Sequence, residues 1–150
     1  MDLLRGDRIP SIKAVMTPFP YSVHIDDPIS RAEEIMRLHG VRHVPVEESG
    51  EIVGIATQRD IGHLVNPALD AQGRSRIRVR QICVRDPYIV DLEERLDRVL
   101  LEMADRHLGS ALVVRKKKLV GIFTVTDACR VLARVLRSRF GPSGGGHSAA

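Results

Sequence analysis

Polar and apolar positions alternate along the N-terminal half of the chain in a way that predicts three strands. Residues 21–25 read Tyr-Ser-Val-His-Ile, the alternation of a half-buried strand, and Asp26-Asp27-Pro28 interrupts it. Residues 43–46 and 52–56 are short and β-prone, and Glu48-Ser49-Gly50 between them favours a hairpin turn.

Helices are predicted on either side of this hairpin. The spacing of Ser30 and Glu33 is that of a capping box, and Gly40 marks the end of the helix. Thr57 is predicted to cap a second helix that runs to about Asn66. The apolar stripe of the first helix consists of Ala32, Ile35, Met36 and Leu38.

The second half of the chain repeats the first. Shifting the sequence by 67 positions places residues 15–60 on 82–127 without a gap, and 11 of the 46 pairs are identical. The pairs are Pro20/Pro87, Tyr21/Tyr88, Val23/Val90, Arg31/Arg98, Met36/Met103, Val46/Val113, Val53/Val120, Gly54/Gly121, Ile55/Ile122, Thr57/Thr124 and Asp60/Asp127. Because a unit of about 50 residues hardly buries its own apolar face, we expect the two copies to pack on each other.

The second copy gives the same order of elements with local differences. Asp97 is predicted to cap its first helix, residues 115–118 form a turn without glycine, and Thr124 caps a helix that runs to about Arg139. The sequence therefore predicts an α+β fold made of two β-α-β-β-α repeats, each preceded by a short turn. The expected divisions are an N-terminal lead 1–8, repeat one 9–66, a connection 67–75, repeat two 76–140 and a flexible tail 141–150.

Composition narrows the class of protein. The chain is 43% apolar and 28% charged, which is ordinary for a soluble globular protein. Three Phe, two Tyr and no Trp make base stacking on exposed rings a poor basis for function. The net charge of +4 weakly favours phosphate-bearing partners.

The location and chemistry that we expect are those of a non-enzymatic cytoplasmic protein. The N-terminus lacks an apolar leader, no apolar run approaches the ~20 residues that span a bilayer, and Cys83 and Cys129 are expected to be free thiols. No nucleophile, phosphate-loop or metal-ligand motif is present. We therefore expect no catalysis, no metal site and no membrane association.

The most informative motif is Gly-x-x-Thr-x-x-Asp, which occurs at Gly54 to Asp60 and again at Gly121 to Asp127. It places a hydroxyl and a carboxylate beside the free amides of a helix start, where phosphate is attracted. The carboxylate can accept hydrogen bonds from a sugar diol. The same spacing also serves as a plain helix cap, so both interpretations stay open.

Taken together, the two repeats resemble a tandem pair of cystathionine-β-synthase (CBS) domains, also called a Bateman module. The resemblance rests on the repeated motif, on Met16-Thr17-Pro18 and on residues 42–46, which read Arg-His-Val-Pro-Val, and it covers about 9–136. It implies pseudo-twofold packing of the repeats, two clefts that bind AMP, ADP, ATP or S-adenosylmethionine, and a homodimer. No cofactor is required.

The resemblance also assigns ligand-binding residues. Asp60 and Asp127 match the positions that hold ribose hydroxyls, and Thr57 and Thr124 match those near the sugar or phosphate. Three basic side chains of copy one, which are Arg42, His43 and Arg59, match positions that face phosphate. Their counterparts in copy two are Gly109, Ser110 and Thr126, so copy two offers hydroxyls, and any charges that serve a ligand in the second cleft must come from elsewhere in the molecule.

The resulting hypothesis is a stand-alone regulatory pair that binds an adenine nucleotide and signals to an unidentified partner protein through a conformational or oligomeric change. A ligand-free interaction scaffold is one alternative. A nucleic-acid binder is the other, because Arg74, Arg76, Arg78 and Arg80 would share one face of an extended segment. The amphipathic helix after Thr124 favours subunit contact.

Overall fold

The computed structural model describes residues 6–141. Most of the predicted lead 1–8, and all of the predicted tail 141–150 except Gly141, lie outside the described residues. The elements are β1 (Thr17–Pro18), β2 (Val23–His24), α1 (Ile29–His39), β3 (His43–Glu48), β4 (Glu51–Thr57), α2 (Gln58–Leu64), α3 (Ala71–Ser75), β5 (Val84–Arg85), β6 (Ile89–Asp91), α4 (Leu96–Asp105), β7 (Ser110–Arg115), β8 (Lys118–Thr124) and α5 (Val125–Phe140).

The α+β class and the order β-α-β-β-α, twice, are confirmed. Sequence reasoning missed α3, a single helical turn inside the predicted connection, which Asp70 caps by accepting a hydrogen bond from the Gly73 amide at 2.7 Å. Among residues 6–141, no helix combines the length and apolar character that crossing a bilayer requires.

Two four-stranded sheets exchange one strand each. Their orders are β1-β8-β7-β6 and β2-β3-β4-β5, so β1 completes the sheet of repeat two and β5 completes the sheet of repeat one. In both sheets the two strands of the long hairpin are antiparallel. The strand before the first helix of each repeat runs parallel to the first strand of the hairpin, as β2 does to β3 and β6 does to β7. The exchange is reciprocal, as approximate twofold symmetry between the repeats requires.

The starts of α1 and α4 differ from the prediction. Pro28 and Arg95 occupy the N-cap positions and neither contributes a side-chain cap, so the predicted caps at Ser30 and Asp97 are wrong. Instead, the first helical amide of α1 donates to the carbonyl of Ile77 at 2.9 Å, and that of α4 donates to Pro10 at 3.0 Å. A backbone carbonyl from the first residues of the other repeat therefore takes the place of a capping side chain.

The first turn of each repeat also contributes a residue to the core of the other repeat. Ile12 lies fully buried in the core of repeat two, and Val79, which is its equivalent 67 positions later, lies fully buried in the core of repeat one. Both cores are mainly aliphatic, with Phe19 in one and Phe123 in the other. Leu38, predicted in the apolar stripe of α1, is 59% exposed.

The two hairpin turns have the same backbone conformation but different residues. Ser49 and Gly50 both have positive φ values, of 53° and 79°, between β3 and β4. Lys116 and Lys117 adopt the same conformation between β7 and β8, at 49° and 65°. Two successive residues with positive φ form the tight turn that matches the twist of paired strands, although only one of the four is a glycine.

Candidate ligand-binding clefts

The repeated motif lies where a long strand passes directly into a helix. Thr57 ends β4 and Thr124 ends β8, and each accepts a hydrogen bond from the amide three residues later. The distances are 3.0 Å from the Asp60 amide and 3.2 Å from the Asp127 amide. The threonines therefore act as helix caps, as one interpretation of the motif predicted.

The two motif carboxylates are held differently. Asp60 accepts the Thr57 hydroxyl on Oδ2 at 2.6 Å, and within residues 6–141 its Oδ1 has no protein hydrogen bond. Asp127 accepts both the amide and the hydroxyl of Thr124 on Oδ2, each at 2.9 Å, which completes a capping box. Its Oδ1 lies 3.5 Å from the Arg130 guanidinium. Asp60 thus keeps one oxygen free of protein contacts within residues 6–141, whereas the second oxygen of Asp127 already faces Arg130.

A cleft of about 630 Å³, named here the Asp60 cleft, opens beside the first motif. Thr57, Arg59 and Asp60 line one side of it, and residues 107–110 of repeat two line another. Arg42 and His43 also border it, so all the site residues predicted for copy one meet in this space. Within the described part of the chain, neither Arg42 nor Arg59 forms an ion pair, which leaves both guanidinium groups available to an anion.

The second cleft, the Asp127 cleft, encloses about 460 Å³. Thr124, Thr126 and Asp127 line it together with Arg42 and His43 of repeat one. The hydroxyls of copy two are therefore joined in this cleft by basic side chains from repeat one. Because β3 begins between the two motifs, its first residue, His43, and Arg42 before it border both clefts.

Several residues that line the clefts were missed by sequence reasoning. His39 and Arg130 border the Asp127 cleft, and Tyr88 and His107 border the Asp60 cleft. Two of them left a signal in the sequence, because Tyr88 repeats Tyr21 and Arg130 follows Asp127 by one helical turn. Thr17, which also borders the Asp127 cleft, belongs to the Met-Thr-Pro segment that carried the family resemblance.

Burial lowers the pKa of the His43 imidazole below its ordinary value of 6.5. Asp127 and Asp60 both act in the opposite direction by stabilising the charged ring, and Arg42 lowers the pKa further. His43 is therefore held toward its neutral form. The carboxylates of both clefts contribute to the potential at this one ring.

The four arginines of residues 74–80 do not form the extended row on which the nucleic-acid alternative depends. Arg74 lies in α3 and donates to both oxygens of Glu33, at 3.0 and 3.1 Å. Arg80 lies in a 3-10 turn, 2.9 Å from Asp26 and 3.6 Å from Glu48. The segment is helical and turned rather than extended, and carboxylates neutralise two of its four cations.

Solved structures similar to this chain share its fold. A putative acetoin utilization protein (AcuB) from Vibrio cholerae matches with a TM-score of 0.71 and 22% identity, over 91% of this chain and 99% of that chain. The CBS domain pair of protein MJ0100, in complex with 5′-methylthioadenosine and S-adenosyl-L-methionine, matches at 0.70 and 26%, over 84% and 98%. A conserved protein from Pyrococcus horikoshii matches at 0.69 and 28%, over 85% and 95%.

The family model of the CBS domain matches the chain twice, at residues 12–65 and 79–134. These two matches contain both Gly-x-x-Thr-x-x-Asp motifs and the 3-10 turns at Ile12–Ala14 and Val79–Gln81, which precede the exchanged strands β1 and β5. They cover well over half of the sequence in the same tandem arrangement that the 67-residue repeat indicated. The chain therefore belongs to the CBS domain family, and it carries two copies of the domain.

Proposed function

We propose that this chain is a regulatory CBS pair that binds an adenine nucleotide or S-adenosylmethionine in its clefts and passes the signal to a partner protein. The observation that carries the proposal is the content of the Asp60 cleft. Its volume of about 630 Å³ is suitable for a nucleotide, since small-molecule sites enclose roughly 300–1,000 Å³. The cleft combines the free Oδ1 of Asp60 and the carboxylate of Asp86 with two guanidinium groups that have no ion-pair partner within residues 6–141.

These groups fit the parts of a nucleotide. The free Oδ1 of Asp60 can accept a hydrogen bond from a ribose hydroxyl, and Arg42 and Arg59 can donate to phosphate oxygens. The similar MJ0100 pair was solved with two adenosine compounds, which supports this ligand class. The Asp127 cleft is the second candidate site, because Arg42 and Arg130 give it the cations that its own motif lacks and His43 adds an imidazole.

Binding is proposed to act by population shift. Since each cleft is lined by residues from both repeats, a ligand contacts the two repeats together and favours one arrangement of them. A homodimer would transmit that change, and α5 offers the surface for it. This helix buries no residue completely, and Leu132, Leu136 and Phe140 are 58%, 47% and 73% exposed.

Thermal melting with AMP, ADP, ATP and S-adenosylmethionine tests the proposal. A ligand at 100 times its Kd stabilises the folded state by ~2.7 kcal/mol, which raises the Tm by several degrees. We expect Asp60→Asn to abolish the shift for a ligand of this cleft, whereas Asp70→Asn, which alters a similar cap outside both clefts, should retain it. Unchanged melting with all four compounds would reject the function.

One observation favours a ligand-free scaffold as the second candidate. The complete capping box at Thr124 and Asp127 shows that the motif has a structural use without any ligand. If this were its sole role, Asp127→Asn would lower stability by ~1 kcal/mol and change no binding curve. The same melting experiments therefore separate the two functions.

A further inference from the structure

Arg42 and His43 form one basic wall that both clefts share, and the molecule has no equivalent wall in the other repeat. Both residues border the Asp60 cleft and the Asp127 cleft. Their counterparts 67 positions later, Gly109 and Ser110, border the Asp60 cleft alone. A Cβ atom on Gly109 would lie 3.7 Å from Nε2 of His43, so a glycine occupies the place where a second arginine would follow from the symmetry.

The pairing of strands explains why this wall lies between the clefts. His43 is the first residue of β3 and is directly opposite Thr57 of β4, which places the ring next to the first motif. The ring is also close enough to the second motif for Asp127 to have the largest effect of the charged groups on its titration, ahead of Asp60 and Arg42. The two motif carboxylates therefore act on one imidazole from two sides.

We propose, on the basis of the proposed function, that ligands in the two clefts compete for Arg42 and His43. An anionic ligand in one cleft weakens the binding of an anionic ligand in the other, and uncharged ligands bind the two clefts independently. A guanidinium that donates two parallel hydrogen bonds to one phosphate has fewer donors for a second. Two phosphates at the same wall also repel each other. Because coupling between sites is reciprocal, either cleft shows the effect.

The first experiment compares calorimetric titrations of wild type, Asp60→Asn and Asp127→Asn with ADP. Each variant reports one cleft with the other disabled, so independent clefts would make the wild-type curve the sum of the two variant curves. We expect the second ADP to bind wild type with a Kd at least ~5-fold higher than independent clefts predict. A factor of this size is at the lower end of the usual coupling between sites. With adenosine, which carries no phosphate, the sum should reproduce the wild-type curve.

Matched variants identify the residue responsible. Arg42→Gln should weaken ADP binding in both clefts and reduce the non-additivity, because the shared guanidinium is gone while the repulsion between phosphates remains. Arg59→Gln, which alters a cation that borders the Asp60 cleft alone, should weaken one step and keep the non-additivity. Arg42 is exposed, so its replacement should not unfold the protein, and melting curves of each variant check this.

A second readout needs no nucleotide. The imidazole of His43 can be titrated by NMR, and both Asp60→Asn and Asp127→Asn should lower its pKa, because each removes a charge that favours the protonated ring. No change in either variant would overturn the shared wall.

The remaining outcomes separate this inference from the function on which it rests. Two ADP molecules bound additively or with positive cooperativity would overturn the competition and leave the proposed function standing. Two ADP molecules bound by either single variant would overturn the assignment of one cleft to each aspartate, and the competition with it. No binding of any of the adenine compounds would overturn both proposals.

Discussion

Gly121 of β8 shows how one residue joins the two repeats. It lies opposite Pro18 of the exchanged strand β1, and a Cβ atom there would come within 2.8 Å of the Thr17 carbonyl oxygen and 2.5 Å of Met16 Sδ. Gly54 has the same relation to β5, where a Cβ atom would lie 2.8 Å from the Val84 carbonyl oxygen. The motif glycine is therefore required by the approach of a crossing strand.

Gly121→Ala should destabilise the protein by roughly 1–3 kcal/mol, the usual cost of overpacking, because a backbone oxygen cannot move away as a flexible side chain does. Urea denaturation measures the change. The control is Gly62→Ala in α2, where nothing lies within 4 Å of the added atom and alanine should stabilise the helix by up to ~1 kcal/mol. Equal effects at the two positions would contradict the steric argument.

His43 makes a second prediction at the residue scale. Since burial lowers its pKa in the folded protein, the unfolded chain takes up the proton first as the pH falls below 6.5. The unfolded state then binds more protons than the folded state, so stability decreases with falling pH until the folded ring titrates as well. His43→Gln should remove this part of the slope, measured as unfolding free energy between pH 7.5 and 5.

Asp127→Asn provides the matched comparison for the pH experiment. Asp127 raises the pKa of His43, so its neutralisation should extend the decline in stability to lower pH. A His43→Gln protein with the same pH slope as wild type would contradict the assignment.

At the scale of elements, the long hairpins and the helices after them could be predicted because their signals are local. Alternation, the turn at Ser49-Gly50 and the cap at Thr57 are contained in adjacent residues. The strands β1 and β5 have two residues each and exist through pairing with the other repeat, so no local pattern indicates them. The predictions of caps at Ser30 and Asp97 were wrong for the same reason, because backbone carbonyls from distant residues accept the first amides of those helices.

The site shows the same division between local and distant information. All seven predicted site residues border at least one cleft, because the motif itself places four of them at the strand-to-helix junctions. The sharing of Arg42 and His43 between the clefts depends on how two repeats pack, and this cannot be derived from the spacing within one of them.

The contribution of the first residues of repeat one to the core of repeat two can be tested through Ile12. This residue is fully buried in the core of repeat two although it belongs to repeat one in the sequence. Ile12→Ala should destabilise the protein by roughly 2–5 kcal/mol, as large-to-small changes in cores do. Hydrogen exchange should show the loss of protection first in β7 and β8, and not in β3 and β4. Ile9→Ala, at a position that is 47% exposed, is the control and should change stability by no more than about 0.5 kcal/mol.

At the scale of the whole molecule, the exposed apolar face of α5 predicts association. Light scattering should give a mass of about twice 16.7 kDa. Leu136→Glu should shift the protein toward the monomer, since a buried unpaired carboxylate at an interface is costly. Lys116→Glu, in the turn between β7 and β8, changes a charge outside α5 and should leave the mass unchanged. A monomeric wild-type protein would contradict the proposed homodimer.

The reciprocal exchange of β1 and β5 also bears on how such a protein can originate. A chain with one repeat alone would lack the outer strand of its sheet and the carbonyl at its first helix, and two identical chains would supply these parts to each other. Gene duplication and fusion then join two partners that were already complementary. The tether allows each half to diverge, as the difference between Arg42-His43 and the equivalent Gly109-Ser110 illustrates.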